Sequence, residues 1–141
     1  NRRKITVFGG SQLRPNLHIQ DMCDLYKKLL IEDRAKIRGQ TFNVGYQNMS
    51  VMDIALLVKR VVQEETPGDA DIRIEQSSSD DLRSYHINSD KIRATIGFEP
   101  KYTIEDAVRE LCKAFKENKL PLSFDDDQYF NVRQMKALNV V

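Results

Sequence analysis

The sequence predicts a mixed α/β fold, a small domain with short strands rather than a large parallel sheet of its own. Short β-rich runs alternate with amphipathic helical patterns along the chain. Glycine and proline separate these runs, and no internal repeat or low-complexity block interrupts them. With 141 residues, of which 40% are apolar, the chain has the length of one domain and can bury a core.

The first strand and helix follow from local pattern. The β-rich run ITVF, residues 5–8, ends at the pair Gly9-Gly10 and predicts a short strand. Apolar residues then recur at helical spacing over residues 19–31, with charged residues on the other faces. This stretch predicts an amphipathic helix that starts near Asp21.

The middle of the chain repeats the order of strand and helix. GQTFNVG, residues 39–45, alternates apolar and polar residues between glycines and predicts a strand. Ser50 with Asp53 three residues later forms a capping box, which predicts the start of a second amphipathic helix. DIRIE, residues 71–75, alternates in the manner of a strand with one wet face.

The last elements are an extended run and two helices. LRSYHI, residues 82–87, predicts an extended segment, and Ser89 predicts the cap of a short helix that Gly97 ends. Thr103 with Asp106 forms a second capping box before the clearest helical pattern in the chain.

Composition excludes several classes of function. The 22 basic and 21 acidic residues give a net charge of +1, so no nucleic-acid partner and no membrane partner is expected. The absence of a long apolar run and of a signal-peptide pattern predicts a cytoplasmic protein. Cys23 and Cys112 predict buried apolar thiols, and His18 and His86 lack metal-ligand spacing, so no metal is expected. The abrupt entry into a strand-like run predicts a piece of a longer protein.

Two arginines are candidates for anion recognition. Arg14 precedes Pro15, which favours extended backbone and projects the guanidinium from a stiff segment. Arg83 lies between a polar turn and an extended run. If the two converge, they form an anion clamp; otherwise each is an exposed or ion-paired arginine. The acidic run Asp125 to Asp127 predicts a solvated turn.

Four segments of the chain follow one another in an order that is also found in a known protein family. They are ITVFGGSQLRPNLHIQDM, GQTFNVG, the helix capped by Ser50, and DDLRSYHINSDKIRATIGFEPKYTIEDAVREL. Together they resemble the carboxyl-terminal half of the extended short-chain dehydrogenase/reductases, the NAD(P)-dependent nucleotide-sugar epimerases and dehydratases. The resemblance covers residues 4–118 and implies a fragment of a Rossmann-fold protein. It implies a substrate-binding domain over residues 1–120, an extension over residues 121–141, and an NAD(P)-binding Rossmann domain outside this chain.

The resemblance also assigns substrate-binding residues. Arg14 matches an arginine that contacts the substrate diphosphate, and Phe8 matches a position that lies along the nucleotide base. A second diphosphate-binding arginine of the family is absent here, because residues 78–81 read SSDD. Arg83 is the nearest candidate to replace it.

Other matched residues are expected to be structural. His18 and Asp21 match an H-x-x-D pattern at the entrance of the first helix, where Asp21 is expected as a helix cap or dipole partner. Asn43 and Tyr85 are expected to be structural or peripheral.

The resemblance implies no catalytic and no cofactor-binding residue in this chain. The family's Gly-rich loop and Tyr-x-x-x-Lys pair lie in its amino-terminal half, and no tyrosine here has a lysine four residues on. The implied ligand is a nucleotide-diphosphate sugar, and the full-length parent is implied to be a homodimeric enzyme using NAD or NADP. Epimerisation, dehydration and reduction all remain open. The alternatives are a non-catalytic binding or interaction domain and a reductase of a non-nucleotide small molecule.

Overall fold

The strands form two separate two-stranded sheets in a computed structural model that describes residues 3–68, 71–80 and 83–140. Strand β1 pairs in parallel with β4, and β2 pairs antiparallel with β3. The strands are β1 (Lys4–Phe8), β2 (Leu13–Asn16), β3 (Gln47–Ser50) and β4 (Arg73–Ser77). The prediction of short, separated strands in a mixed α/β fold is therefore confirmed.

Helices account for most of the regular structure. They are α1 (Ile19–Ile31), α2 (Arg34–Ile37), α3 (Val51–Glu65), α4 (Asp90–Ile96), α5 (Ile104–Lys116) and α6 (Asn131–Ala137), with a 3-10 turn at Asp127–Tyr129. The chain divides into two compact units, with the boundary inside α5 between Arg109 and Glu110. Within the described ranges, no helix has the length and apolar character needed to cross a bilayer.

The two capping boxes are confirmed. The Ser50 hydroxyl accepts a hydrogen bond from the Asp53 N–H at 3.0 Å, at the start of α3. At the start of α5, the Thr103 N–H donates to the Asp106 carboxylate at 2.7 Å and the Thr103 hydroxyl accepts from the Asp106 N–H at 3.2 Å. Gly97 ends α4 with a left-handed φ of 64°, as the sequence predicts.

Ser89 occupies the predicted N-cap position of α4, but its side chain does not make the capping bond. The Ser89 hydroxyl bonds instead to the backbone of Gly45, accepting from its N–H at 2.9 Å and donating to its C=O at 2.8 Å. The Asn88 side chain accepts from the Asp90 N–H at 2.7 Å in its place. A hydroxyl next to a helix start thus bonds to backbone that is distant in the chain. The local sequence pattern does not indicate this partner.

The predicted strand over residues 39–45 is wrong, because the strand in this part of the chain is β3, which begins at Gln47. Residues 41–44 keep the predicted alternation: Thr41 and Asn43 are exposed, while Phe42 and Val44 pack against the core. That core consists of Leu25, Ile92, Ile96 and Phe98. Among the described residues the segment has no strand partner, so it remains irregular. Residues 83–89 are likewise irregular, and Leu82 lies outside the described residues.

The residue that caps α1 is His18, whereas Asp21, expected as a helix cap or dipole partner, lies in the first turn of the helix. The His18 Nδ1 accepts from the Gln20 N–H at 3.1 Å. Asp21 is only 2% exposed, and its two carboxylate oxygens accept from the N–H groups of Lys101 and Tyr102 at 2.9 and 3.0 Å. Asp21 therefore fastens α1 to the segment that leads into α5.

An exposed ion network joins α3 to α5 on the surface of the first unit. The Arg109 guanidinium donates to the carboxylates of Glu64, Glu65 and Glu105 at 2.6, 2.8 and 2.7 Å. Arg60 adds contacts to Glu64 at 2.8 Å and to Glu105 at 2.6 Å. Because every member is partly solvated, salt screens these attractions.

We expect Asp21→Ala to lower the free energy of unfolding by about 3 kcal/mol, because the buried carboxylate's two hydrogen bonds to the N–H groups of Lys101 and Tyr102 are lost. Urea denaturation measures this loss. Asp21→Asn keeps one acceptor oxygen and is expected to lose less. Asp24→Ala, on a solvated face of the same helix, is the control. Equal losses for Asp21→Ala and Asp24→Ala would contradict the role of the buried carboxylate.

We expect Arg109→Met to lower the thermal midpoint more at pH 7 than at pH 2.5. Hydrogen bonds from Arg109 and Arg60 hold the pKa of Glu64 below its ordinary value of 4.5. Bonds from Arg60 and Arg109 lower the pKa of Glu105 likewise. A carboxylate with a lowered folded-state pKa stabilises the fold above its ordinary pKa, and this contribution is lost as the pH falls through the lowered value. Equal losses at both pH values would assign the effect to packing of the Arg109 stem.

Candidate functional site

The turn between β1 and β2 is built around a buried glutamine. The Gln12 side chain is 5% exposed; its Nε2 donates to the Phe8 carbonyl and its Oε1 accepts from the Gly10 N–H, both at 2.6 Å. Gly9 and Gly10 have φ values of +75° and +131°. A Cβ on Gly9 would approach the Gln12 amide to 2.7 Å and would displace it, and the positive φ also favours glycine.

Neighbouring elements hold the same turn from outside. The Met52 N–H, in the first turn of α3, donates to the Gly10 carbonyl at 2.9 Å. The Gln76 side chain, on β4, donates to the Gly9 carbonyl. The turn is therefore attached to both a helix and a strand.

Arg14 lies half-buried on β2, opposite Met49 of β3. Its Nη1 donates to the carbonyls of Leu13 at 2.9 Å and Arg83 at 2.5 Å. The Tyr85 ring centroid lies 5.3 Å from the guanidinium carbon, a cation–π contact. The fold thus brings Arg14 against the backbone of Arg83, from 69 residues away in the chain.

Side chains fasten the segment 83–87 along the β2–β3 pair. The Leu13 N–H donates to the Ser84 hydroxyl at 2.8 Å, and the Leu13 carbonyl accepts from the Tyr85 N–H at 3.1 Å. The Asn48 amide bonds to both backbone groups of Ile87, donating to its carbonyl at 3.0 Å and accepting from its N–H at 2.9 Å. These bonds fix where Arg83 and Tyr85 lie.

The three residues singled out in the sequence occupy different positions. Phe8 ends β1 with its side chain 59% exposed, and Arg83 is exposed beside Arg14. The sequence pattern did not indicate the roles of Gln12 and Asn48, because a lone Gln or Asn near a turn has no distinctive spacing. Tyr85, expected to be structural or peripheral, contacts the Arg14 guanidinium.

A separate crevice of about 140 Å³ lies near the start of α1. The rings of His18 and Tyr102 face each other there with centroids 5.0 Å apart. The Gln47 side chain, also on its wall, accepts from the Ile104 N–H at 2.7 Å. Since this amide oxygen already serves the start of α5, we interpret the crevice as structural.

The chain's own residues do not fit a dinucleotide. Strand β1 runs through the Gly9-Gly10 turn into another strand, whereas a pyrophosphate loop requires a turn into a helix N-terminus. The sequence holds neither a G-x-G-x-x-G loop nor a Tyr-x-x-x-Lys pair. Over the described ranges, no cluster of three or more His, Cys, Asp or Glu side chains is placed to hold a metal ion.

The chain is similar to known proteins, but it matches only part of the length of each. No protein-family model matches the chain. A dTDP-glucose 4,6-dehydratase from Xanthomonas campestris is 30% identical over 114 residues, which cover 75% of this chain and 32% of that protein. A dTDP-glucose 4,6-dehydratase from Shigella flexneri is 25% identical over 122 residues, which cover 82% of this chain and 33% of that protein. The chain thus spans about a third of the length of the curated relatives it matches.

Solved structures share the fold. The dTDP-glucose 4,6-dehydratase from Bacillus anthracis in complex with NAD superposes with a TM-score of 0.60 at 24% identity, over 82% of this chain and 35% of that one. An L-threonine dehydrogenase from Phytophthora infestans gives a TM-score of 0.67 at 10% identity, over 84% and 38%. At these identities the likeness establishes the architecture alone, and it confirms the predicted fold class.

We expect Asn48→Ala to release the segment 83–87 from β3. The variant leaves both Ile87 backbone groups without their partner, which costs about 2 kcal/mol. Hydrogen exchange should accelerate at the amides of Ile87 and Tyr85. Asn43→Ala, at an exposed position, is the control and should leave both rates unchanged. Protection of the Ile87 amide that survives Asn48→Ala would contradict this role.

Proposed function

The chain is related to the extended short-chain dehydrogenase/reductases, the family of the nucleotide-sugar epimerases and dehydratases, and from this relation we propose that it is the carboxyl-terminal, substrate-binding portion of such an enzyme. Its ligand is the nucleotide-diphosphate part of a sugar nucleotide. A dTDP-sugar is the first candidate, because the relatives are named dTDP-glucose 4,6-dehydratases.

The observation that carries this proposal is the set of contacts that hold the Arg14 guanidinium. Its bonds to Leu13 and Arg83 use one nitrogen, Nη1, and both acceptors are backbone carbonyls. Carbonyls orient a guanidinium without cancelling its charge, and the Tyr85 ring supports it from one side. An arginine held in this way suits a diphosphate, because its remaining donors match phosphate oxygens.

The roles proposed for the other two residues follow from their positions. We propose Arg83, whose backbone carbonyl accepts from the Arg14 guanidinium, as a second contact for the diphosphate. Phe8 presents an exposed ring at the end of β1, which suits contact with a planar base. None of the three residues supplies proton transfer at the sugar. The contribution of the chain is to position the ligand.

The cofactor belongs to the part of the protein that lies outside this chain. Because the residues here do not fit a dinucleotide, no step of the reaction is assigned to them. We propose that the full-length protein is an NAD(P)-dependent, cytoplasmic homodimer, and that its catalytic residues lie in its Rossmann domain.

Two alternatives keep the same architecture. The first is a non-catalytic binding or interaction domain. The second is a reductase of a non-nucleotide small molecule; an L-threonine dehydrogenase is among the solved structures that share the fold. An upstream reading frame with a Gly-rich strand–turn–helix and a Tyr-x-x-x-Lys pair supports an enzyme, and an upstream frame without them supports the interaction domain.

We expect Arg14→Ala to weaken binding of dTDP-glucose by about 2 kcal/mol, or roughly 30-fold, because charge-assisted bonds to the diphosphate are lost. Titration calorimetry on the chain measures the change. Arg133→Ala is a matched control, since Arg133 also lies over an aromatic ring, with its guanidinium carbon 3.9 Å from the Phe130 centroid. Unchanged affinity in Arg14→Ala would remove Arg14 from the site. Failure of dTDP-, UDP-, GDP- and CDP-sugars to bind would favour a non-nucleotide ligand.

A further inference from the structure

We propose that Gln12 is the positioning residue of this site: it sets the spacing between the Phe8 ring and the Arg14 guanidinium, and so favours ligands that reach both. This inference rests on the proposed function, since Phe8 and Arg14 are its two contact points. Gln12 itself is buried and is not expected to touch the ligand.

The chemistry at Gln12 requires one donor and one acceptor on the same side chain. The Phe8 carbonyl can only accept and the Gly10 N–H can only donate, and the primary amide of Gln12 satisfies both. This pair of partners also fixes which amide atom is the oxygen. A carboxylate would serve Gly10 and repel the Phe8 carbonyl, and an apolar side chain would serve neither.

The position of Gln12 in the chain gives these bonds their effect. Phe8 lies four residues before it and Arg14 two residues after it, with the two glycines between Phe8 and Gln12. Glycines have the widest backbone freedom of any residue, so the turn depends on its hydrogen bonds for a single shape. The Gln12 carbonyl also accepts from the Val51 N–H at 3.1 Å, which ties the turn to the start of α3.

The consequence is a selective effect on binding. A ligand that contacts both the ring and the guanidinium is held by two points whose separation must match its own length. Inorganic pyrophosphate meets the guanidinium alone, so the spacing does not affect it. Loss of the Gln12 bonds should therefore weaken a nucleotide-diphosphate ligand much more than pyrophosphate.

The experiment compares dissociation constants for dTDP-glucose and inorganic pyrophosphate in the chain and in Gln12→Met, a substitution of similar length that removes both bonds. We expect the constant for dTDP-glucose to rise at least about tenfold and that for pyrophosphate to change less than about twofold. Gln12→Glu keeps the bond to Gly10 but places a carboxylate against the Phe8 carbonyl, so it should also weaken dTDP-glucose more than pyrophosphate. Gln20→Met makes the same change at an exposed position and should alter neither constant.

The outcomes separate this inference from the proposed function. Absence of binding by dTDP-, UDP-, GDP- and CDP-sugars in the unaltered chain would overturn the proposed function and this inference with it. Binding in the unaltered chain, with both ligands weakened equally in Gln12→Met, would leave the proposed function standing and make Gln12 a purely structural residue. Circular dichroism monitors folding; if Gln12→Met unfolds, Gln12→Glu carries the same comparison, and an equal loss of both ligands would again overturn the role.

Discussion

The antiparallel pairing of β2 with β3 is the constraint on which the candidate site depends. It joins residues 13–16 to residues 47–50, and so connects Arg14 to the start of α3. A two-stranded ribbon is marginally stable by itself, and Pro15 in β2 has no N–H to contribute. Side chains of Ser84 and Asn48 supply hydrogen bonds that a third strand would otherwise provide. Arg14 and Arg83 therefore lie, respectively, on a short ribbon and on an irregular segment that is held beside it.

The helices could be predicted because their determinants are local. Apolar periodicity and a hydroxyl–carboxylate pair three residues apart are both contained in one or two turns of chain. The capping boxes at Ser50 and Thr103 form for this reason. The Ser89 side chain does not make the capping bond of α4, because its hydroxyl bonds to the backbone of Gly45, 44 residues away. When a side chain has two possible hydrogen-bond partners, tertiary packing determines which bond forms. A single sequence does not show that packing.

Segment 41–44 shows the same limit for strands. Its alternation is correct, yet a strand also needs a neighbour whose backbone groups are aligned with its own. The outer face of α1 is comparable: Ile19, Tyr26 and Leu30 lie at one helical face and are 71%, 61% and 85% exposed. Periodicity indicates which face of an element is apolar. It does not indicate what covers that face.

Only part of the candidate site could be predicted, because a local pattern does not show which distant residues come together. Arg14 could be recognised because Pro15 stiffens its segment, but its proximity to Arg83 depends on contacts across 69 residues. Comparison with Arg109 shows why the partners matter more than the residue type. Three carboxylates surround the Arg109 guanidinium and compensate its charge, which makes it a link between helices. Backbone carbonyls and a tyrosine ring orient Arg14, and among the described residues no carboxylate forms an ion pair with it, which is why we propose Arg14 rather than Arg109 as the anion contact.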